Sequence, residues 1–295
     1  MFTGLSAFPL TPMNEQGIRE DEFACLVARL AAARVDSIGV LGSTGSYMYL
    51  SREERARVLR LAMENAGDVP VIAGIGALST REVLALAEDA QKAGVAGVLL
   101  APVSYQKLTD DEVFGHFKTV CESLQVPLCV YDNPGTTHFA FSDELHGRIA
   151  QLPSVKSIKI PPVSLEPGAA EARIQRLREL IPADVTLGIS GDPAAAVGLN
   201  VGCQAWYSVL GGLFPERALA ITRAAQGGDT QTALRLSSQL EPLWALYREY
   251  GGSLRVIATV AEVLGDVSRP SLPQPLTTLQ GDARKKVEQV VEQLK

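Results

Sequence analysis

Short apolar runs alternate with longer segments of helical periodicity over most of the chain, up to about residue 226. Eight of the apolar runs are short and bounded by polar or turn-forming residues, as buried strands are. They cover residues 3–8, 37–41, 70–75, 97–101, 127–131, 155–160, 185–190 and 205–209. This alternation predicts a succession of strand–helix units.

The segments between the strands carry clear helix boundaries. In residues 50–67, Ser51 is placed to cap the first turn, and two glutamates that follow it suit the positive end of the helix dipole. Apolar residues then recur at helical spacing until Gly67 ends the pattern. Residues 78–94 repeat the scheme, from a cap at Ser79 or Thr80 to the end at Gly94. Both segments are therefore predicted to be amphipathic helices that pack against the strands.

Eight strand–helix units of about 25–30 residues fit a (β/α)8 TIM barrel, which usually needs about 250 residues. A doubly wound open sheet shows the same alternation and stays open as an alternative, although the chain has no GxGxxG fingerprint. After residue 226 the strand pattern stops, and residues 229–250, 253–265 and 281–295 read as three added helices. We therefore expect an α/β chain with a barrel domain over residues 1–226 and a C-terminal helical extension over residues 227–295.

Composition excludes several classes of protein. Of the 295 residues, 46% are hydrophobic and 20% are charged, which is ordinary globular composition. The formal net charge is −6 and no dense basic patch is present, so nucleic-acid binding is disfavoured. No apolar run approaches the about 20 residues of a membrane span, and the first residues lack the pattern of a secretory signal. We expect a soluble cytoplasmic protein.

The cysteines and histidines do not suggest a metal site or a disulfide framework. Neither residue type shows the clustered spacing that zinc sites and disulfide scaffolds require. They are Cys25, Cys121, Cys129, Cys203, His116, His138 and His146. No metal, nucleotide or flavin cofactor is therefore expected.

The stretch "PSVKSIKIPP", residues 153–162, places two lysines in a run that otherwise reads as a buried strand. Burial of an unpaired charge is unfavourable, so the direction of each lysine matters. Alternate residues of a strand face opposite sides. If Ile158 and Ile160 face the helices, Lys159 faces the barrel axis at the carboxyl end of its strand, where barrel enzymes place their chemistry. Lys156 lies near the start of the strand and can reach solvent.

The same alternation in residues 127–131 turns Tyr131 inward at the end of the preceding strand. Tyr131 and Lys159 are thus expected to be neighbours at one mouth of the barrel. A lysine that reaches the rim and a tyrosine whose hydroxyl contacts water remain alternatives from the pattern alone. The chemical interpretation is that a dry barrel mouth favours a neutral, nucleophilic amine, beside which a phenol can transfer protons.

Four segments resemble motifs of the dihydrodipicolinate synthase / N-acetylneuraminate lyase family, in the family's order. "GVLGSTGSYMYLSREER" resembles its Gly-Thr-Thr-Gly-Glu loop, and "CVYDNPGTT" its Tyr-Asn-x-Pro motif. "VKSIK" is similar to the strand that ends in the Schiff-base lysine, and "GISGDPAA" to the Ser-Gly-Asp segment. The resemblance covers about residues 3–265. It implies a class I lyase or aldolase on a TIM barrel with a C-terminal helical extension, active on pyruvate or a related 2-oxo acid.

The resemblance also implies roles for individual residues. Lys159 would form the Schiff base, Tyr131 would donate and accept protons at that centre, and Ser43 would relay protons to Tyr131. Thr44 and Gly45 of the glycine-rich loop would bind the substrate, where the backbone N–H groups of a loop that opens a helix can hold a carboxylate.

Two further tyrosines follow from the resemblance. Tyr207 matches a position that contacts pyruvate through its backbone, although the family carries an apolar residue there. Tyr105 matches, with a one-residue insertion, a catalytic tyrosine that comes from a neighbouring subunit; without the insertion Ser104 takes that place. A homo-oligomer follows, at least a dimer, with the tetramer as the family norm.

Three departures concern the second substrate. Thr136 stands where the synthase has an arginine for that substrate's carboxylate, and a hydroxyl cannot replace a bidentate charged fork. Ser46 replaces the loop glutamate, and Pro161 and Pro162 stiffen the segment after Lys159. We expect altered second-substrate specificity. The alternatives are 4-hydroxy-tetrahydrodipicolinate synthase proper, which joins pyruvate and aspartate semialdehyde in lysine biosynthesis, and a non-catalytic sensor that binds a 2-oxo acid.

Overall fold

The computed structural model describes residues 1–294 and contains a closed barrel of eight parallel strands. In chain order the barrel strands are β1 Gly4–Ala7, β2 Ser37–Val40, β3 Val71–Gly74, β4 Gly97–Leu100, β5 Leu128–Tyr131, β6 Val155–Ile160, β7 Thr186–Ile189 and β8 Ala205–Ser208. Each strand pairs with its neighbours in sequence, and β8 pairs with β1. The predicted TIM barrel is confirmed, and the open doubly wound sheet is excluded.

Helices follow the strands on the outside of the barrel. They are α1 Glu20–Ala32, α2 Arg52–Asn65, α3 Thr80–Ala93, α4 Asp110–Ser123, α5 Pro134–Thr137, α6 Asp143–Ala150, α7 Pro167–Leu180, α8 Ala195–Asn200 and α9 Pro215–Gln226. Short 3-10 turns cover Tyr47–Tyr49, Asp192–Ala194 and Leu210–Gly212, and a small hairpin joins Met13–Asn14 to Gly17–Ile18. Within residues 1–294, no helix is both long enough and apolar enough to cross a bilayer.

The helix boundaries follow from capping chemistry. The Ser51 side chain accepts the backbone N–H of Glu54, and the Glu54 carboxylate accepts the N–H of Ser51, which completes a capping box at the start of α2. Ser79 caps α3, and Gly94 ends it in the left-handed conformation that glycine adopts most easily. These predicted boundaries are confirmed.

The C-terminal region differs from the prediction in one respect. The sequence predicts one helix over residues 229–250, but this segment forms two, α10 Thr230–Ser238 and α11 Glu241–Glu249. Pro242 lies in the first turn of α11, where its missing N–H needs no partner, whereas the interior of a continuous helix would not accommodate it. The chain continues with α12 Ser253–Leu264 and α13 Gly281–Leu294.

The buried apolar side chains form two separate clusters, one on each face of the barrel sheet. The larger cluster fills the layer between the strands and the helices and extends under the C-terminal helices. The smaller cluster lies inside the barrel and consists of Phe2, Phe8, Ile72, Leu99, Ala101, Cys129, Tyr131, Ala205 and Tyr207. Alternation along each strand produces this division, since inward and outward side chains cannot touch through the sheet. The interior cluster holds the aromatic side chains from which the site is built.

Candidate active site

Lys159 lies inside the barrel mouth, at the carboxyl end of β6. Lys159 is only 6% exposed. Its Nζ atom is 4.0 Å from the centre of the Tyr131 ring and 4.3 Å from the centre of the Phe8 ring. Among residues 1–294, no carboxylate lies within ion-pair distance of this amine. The contacts with the Tyr131 and Phe8 rings confirm the predicted inward direction of Lys159. Nucleophilic attack by this amine would not first require an ion pair to break.

Tyr131 is the partner of Lys159 across the sheet, because the two Cα atoms are in register between β5 and β6. Its hydroxyl lies 3.3 Å from the Ser43 Oγ atom and accepts a hydrogen bond of 2.7 Å from the Asn133 side-chain amide. The predicted neighbourhood of Lys159, Tyr131 and Ser43 is confirmed as geometry. A phenol that is held by two polar groups beside an amine can exchange protons with a substrate bound to that amine.

The loop after β2 carries Ser43, Thr44 and Gly45 at the rim of the mouth. It sits tightly on β3, since a Cβ atom on Gly74 would come within 1.8 Å of the Leu41 carbonyl oxygen. Within residues 1–294, the amides of Thr44 and Gly45 make no hydrogen bond to another backbone group. Such unpaired N–H groups in a tight turn form a concave surface that suits an anion.

Tyr207 lies below Lys159, with its ring centre 5.6 Å from the Nζ atom. The Tyr207 hydroxyl contacts Ser157 Oγ at 2.6 Å and accepts a hydrogen bond from the Cys129 thiol at 3.3 Å. Burial raises the pKa of Tyr207 well above its ordinary value and the pKa of Cys129 to about 11. The Tyr207 phenol and the Cys129 thiol are therefore both uncharged at neutral pH. The predicted contact between the Tyr207 backbone and the substrate stays a prediction.

Asp192, in the segment that resembles the family's Ser-Gly-Asp motif, is buried behind the mouth. Its carboxylate accepts hydrogen bonds from the Trp206 indole N–H, the Ser208 hydroxyl and the backbone N–H groups of Val209 and Leu210. Burial raises its pKa, while these four donors act in the opposite direction. The carboxylate fixes the turn after β8 and thereby one wall of the mouth.

Two predicted site residues lie on the surface of this chain. Thr136 is exposed in α5, and its hydroxyl donates to the Asn133 carbonyl at 3.4 Å. Tyr105 is 91% exposed in the loop after β4, whereas the neighbouring Ser104 is partly buried and bonds to Gln106 within the same loop. Their proposed contacts with substrate or with a second subunit stay predictions.

Sequence reasoning missed two residues of the site. Asn133 donates the shorter of the two hydrogen bonds to Tyr131, and Phe8 covers one side of the Lys159 amine. Phe8 could have been found from its position, because it follows β1 with inward parity at the carboxyl end. Among the residues that the structure describes, no cluster of three His, Cys, Asp or Glu side chains could hold a metal ion.

Comparisons with known proteins agree with this architecture. The model of the dihydrodipicolinate synthetase family matches residues 1–294. The 4-hydroxy-tetrahydrodipicolinate synthase of Methylibium petroleiphilum is 31% identical over 271 residues, which are 85% of this chain and 89% of that protein. The enzyme of the same name from Nitrobacter hamburgensis is 30% identical over 280 residues, 92% of this chain and 91% of its own.

Solved structures show the same similarity. A crystal structure of dihydrodipicolinate synthase from Agrobacterium tumefaciens has 44% sequence identity and a TM-score of 0.95, and the alignment covers 100% of this chain and 98% of that one. A putative dihydrodipicolinate synthetase from Pseudomonas aeruginosa has 26% identity and a TM-score of 0.91, with 100% of both chains covered. The barrel and the C-terminal helices are thus shared over the full length.

Proposed function

This chain belongs to the dihydrodipicolinate synthetase family and is an enzyme of the lyase and aldolase type, and on that premise we propose that it acts through a Schiff base between Lys159 and a 2-oxo acid such as pyruvate. The observation that carries the proposal is the register of Tyr131 with Lys159, which sets a buried amine 4.0 Å from a phenol ring. No permanent charge partner competes for the amine among residues 1–294.

The chemical steps follow from the positions of these groups. The neutral Lys159 amine attacks the C2 carbonyl of the 2-oxo acid, and the carbinolamine loses water to give an imine. Loss of a C3 proton converts the protonated imine to an enamine, whose electron pair can form a carbon–carbon bond at C3 and restore the protonated imine. In the reverse direction, the bond at C3 breaks in the protonated imine, which takes up the electron pair and becomes the enamine. Tyr131, in contact with Ser43 and Asn133, carries the protons that these steps gain and lose.

The loop of Thr44 and Gly45 supports the orientation of the substrate. Its unpaired amides can receive the carboxylate next to the reacting carbonyl, which leaves C2 directed toward Lys159. Orientation of this kind accounts for much of the advantage of an enzyme over free reactants. We assign these two residues to the carboxylate of the 2-oxo acid.

The position that would bind the carboxylate of a second substrate carries no charged side chain in this chain. Thr136 is an exposed threonine, and a hydroxyl does not bind a carboxylate as an arginine fork does. We therefore propose a second-substrate specificity different from that of 4-hydroxy-tetrahydrodipicolinate synthase. That synthase is the second candidate, since the curated relatives carry its name.

Reductive trapping tests the proposal directly. Borohydride added with pyruvate should leave a reduced pyruvyl group on the peptide that contains Lys159, detected by mass spectrometry, and a Lys159→Arg control should stay unmodified. An unmodified Lys159 across pyruvate and several longer 2-oxo acids would exclude the mechanism. A coupled assay with pyruvate and aspartate semialdehyde then separates the two candidates, since turnover equal to that of an authentic synthase would overturn the altered specificity.

We also propose that the site is completed by a second copy of this chain. Tyr105 is 91% exposed, and the loops after β2 and β3 expose Tyr49 and Leu78 at 48% and 60% on the same face of the barrel. If Tyr105 acts in the neighbouring subunit, inactive Tyr105→Ala and Lys159→Arg proteins should regain part of the activity when they are unfolded and refolded together. Light scattering that shows a monomer, or no regained activity, would refute this arrangement.

A further inference from the structure

We propose that Tyr207 is a positioning residue for Lys159, whose ring forms the floor of the barrel mouth and holds the amine at the height where it meets the substrate carbonyl. The inference rests on the proposed Schiff-base function, in which Lys159 is the nucleophile. It assigns the role to the side chain of Tyr207, separately from any backbone contact with substrate.

The Tyr207 ring extends from β8 through the barrel interior toward β5 and β6. Its hydroxyl reaches Ser157 on β6 at 2.6 Å and Cys129 on β5 at 3.3 Å. The strand β7, which lies between β6 and β8, leaves room for the ring because Gly188 has no Cβ atom. A Cβ atom there would lie 2.2 Å from Cε2 of the Tyr207 ring. Ser157 is itself held by the Thr186 hydroxyl at 2.8 Å. The hydroxyl end of the ring is thus held by two strands, β5 and β6, while its other end is attached to β8.

The ring bounds the space that the lysine amine can occupy. Lys159 has a long flexible stem, and three aromatic rings surround its Nζ atom, with centres at 4.0 Å for Tyr131, 4.3 Å for Phe8 and 5.6 Å for Tyr207. Tyr207 also packs edge-on against Phe8, with ring centres 6.2 Å apart. Removal of the floor would free the amine to sink into the barrel, away from the substrate and from the Tyr131 hydroxyl.

The surroundings of Tyr207 exclude direct acid–base work by its hydroxyl. The residue is 2% exposed, its hydroxyl is bound to Ser157 and Cys129 on the side away from the mouth, and burial keeps the phenol uncharged. The contribution of Tyr207 therefore passes through Lys159. Leucine has no ring and would leave part of the space under the amine unfilled, while phenylalanine would keep the floor and lose only the hydroxyl contacts.

The test compares Tyr207→Leu with Tyr207→Phe in borohydride trapping with pyruvate. We expect Tyr207→Leu to lower the trapping rate at saturating pyruvate about 100-fold, with half-saturation little changed, because a displacement near 1 Å has an effect of that order. Tyr207→Phe should stay within about tenfold of wild type. Equal loss in the two variants, or a Tyr207→Leu protein that traps as fast as wild type, would overturn the assignment. A wild-type protein that forms no adduct would instead refute the proposed function.

Gly188→Ala provides an independent test, since the added methyl group would displace the Tyr207 ring without a change of residue 207 itself. It should lower the trapping rate as Tyr207→Leu does, and the double variant should be no slower than Tyr207→Leu alone. A loss of about 10⁴-fold in the trapping rate of the double variant would show that the two substitutions act independently, which would refute the assigned role of the Tyr207 ring. Tyr247→Leu is the matched control, because it removes another buried tyrosine, which lies in α11 and is 6% exposed. It should lower the melting temperature and leave the trapping rate of the folded protein unchanged.

Discussion

Replacement of Tyr131 by phenylalanine separates the chemistry of the site from its stability. The ring stays, so the contact with the Lys159 amine at 4.0 Å is kept. Two contacts are lost, the hydrogen bond of 2.7 Å from Asn133 and the contact of 3.3 Å with Ser43. Loss of these two neutral, partly buried contacts lowers the free energy of unfolding by about 1–2 kcal/mol, which corresponds to about 2–3 °C in melting temperature for a chain of this length.

The expected effect of Tyr131→Phe on the reaction is much larger. A positioned proton donor and acceptor contributes about 10²- to 10⁴-fold to rate, which is about 3–5 kcal/mol in the activation barrier. The assay is the rate of borohydride-trapped adduct at saturating pyruvate, measured on protein whose folding is checked by thermal melting. Tyr247→Phe is the matched control, since among residues 1–294 its buried hydroxyl has no hydrogen-bond partner. Its loss should leave the trapping rate unchanged and should not lower the melting temperature. A Tyr131→Phe protein that is folded and traps pyruvate within tenfold of the wild-type rate would refute the assigned role.

Three further predictions follow from buried groups. Asp192→Asn should lower the free energy of unfolding by about 2–3 kcal/mol in urea denaturation, because either orientation of the amide turns an N–H toward a backbone or indole donor; a loss under about 1 kcal/mol would contradict this. Alkylation at pH 8, read by mass spectrometry, should modify the exposed Cys25 and spare Cys129, whose pKa burial raises to about 11, until the protein unfolds. Burial lowers the pKa of His116 below its ordinary 6.5, so the unfolded chain binds the proton more readily and stability should fall as the pH drops below 6.5. His116→Gln should make the melting temperature less sensitive to pH in that range, and an unchanged pH dependence would refute the attribution.

The sequence determined the strands, most helix boundaries and the direction of Lys159. These features depend on local rules. A run such as 155–160 has a period of two whether or not its partners are known, so Lys159 and Ile160 must face opposite sides. Capping at Ser51 and Gly94 involves neighbours within one turn of helix. The family motifs added proposed roles for residues that lie at strand ends.

Only the tertiary structure decided what surrounds the lysine. The Tyr207 hydroxyl meets side chains 50 and 78 positions earlier in the chain, and the Phe8 ring meets an amine on β6. These contacts depend on the closure of the barrel, because the register shift between neighbouring strands sets which inward-facing residues lie in the same layer. Each local pattern is compatible with several offsets. The choice among them is made by the packing of the whole interior, including the space left over Gly188.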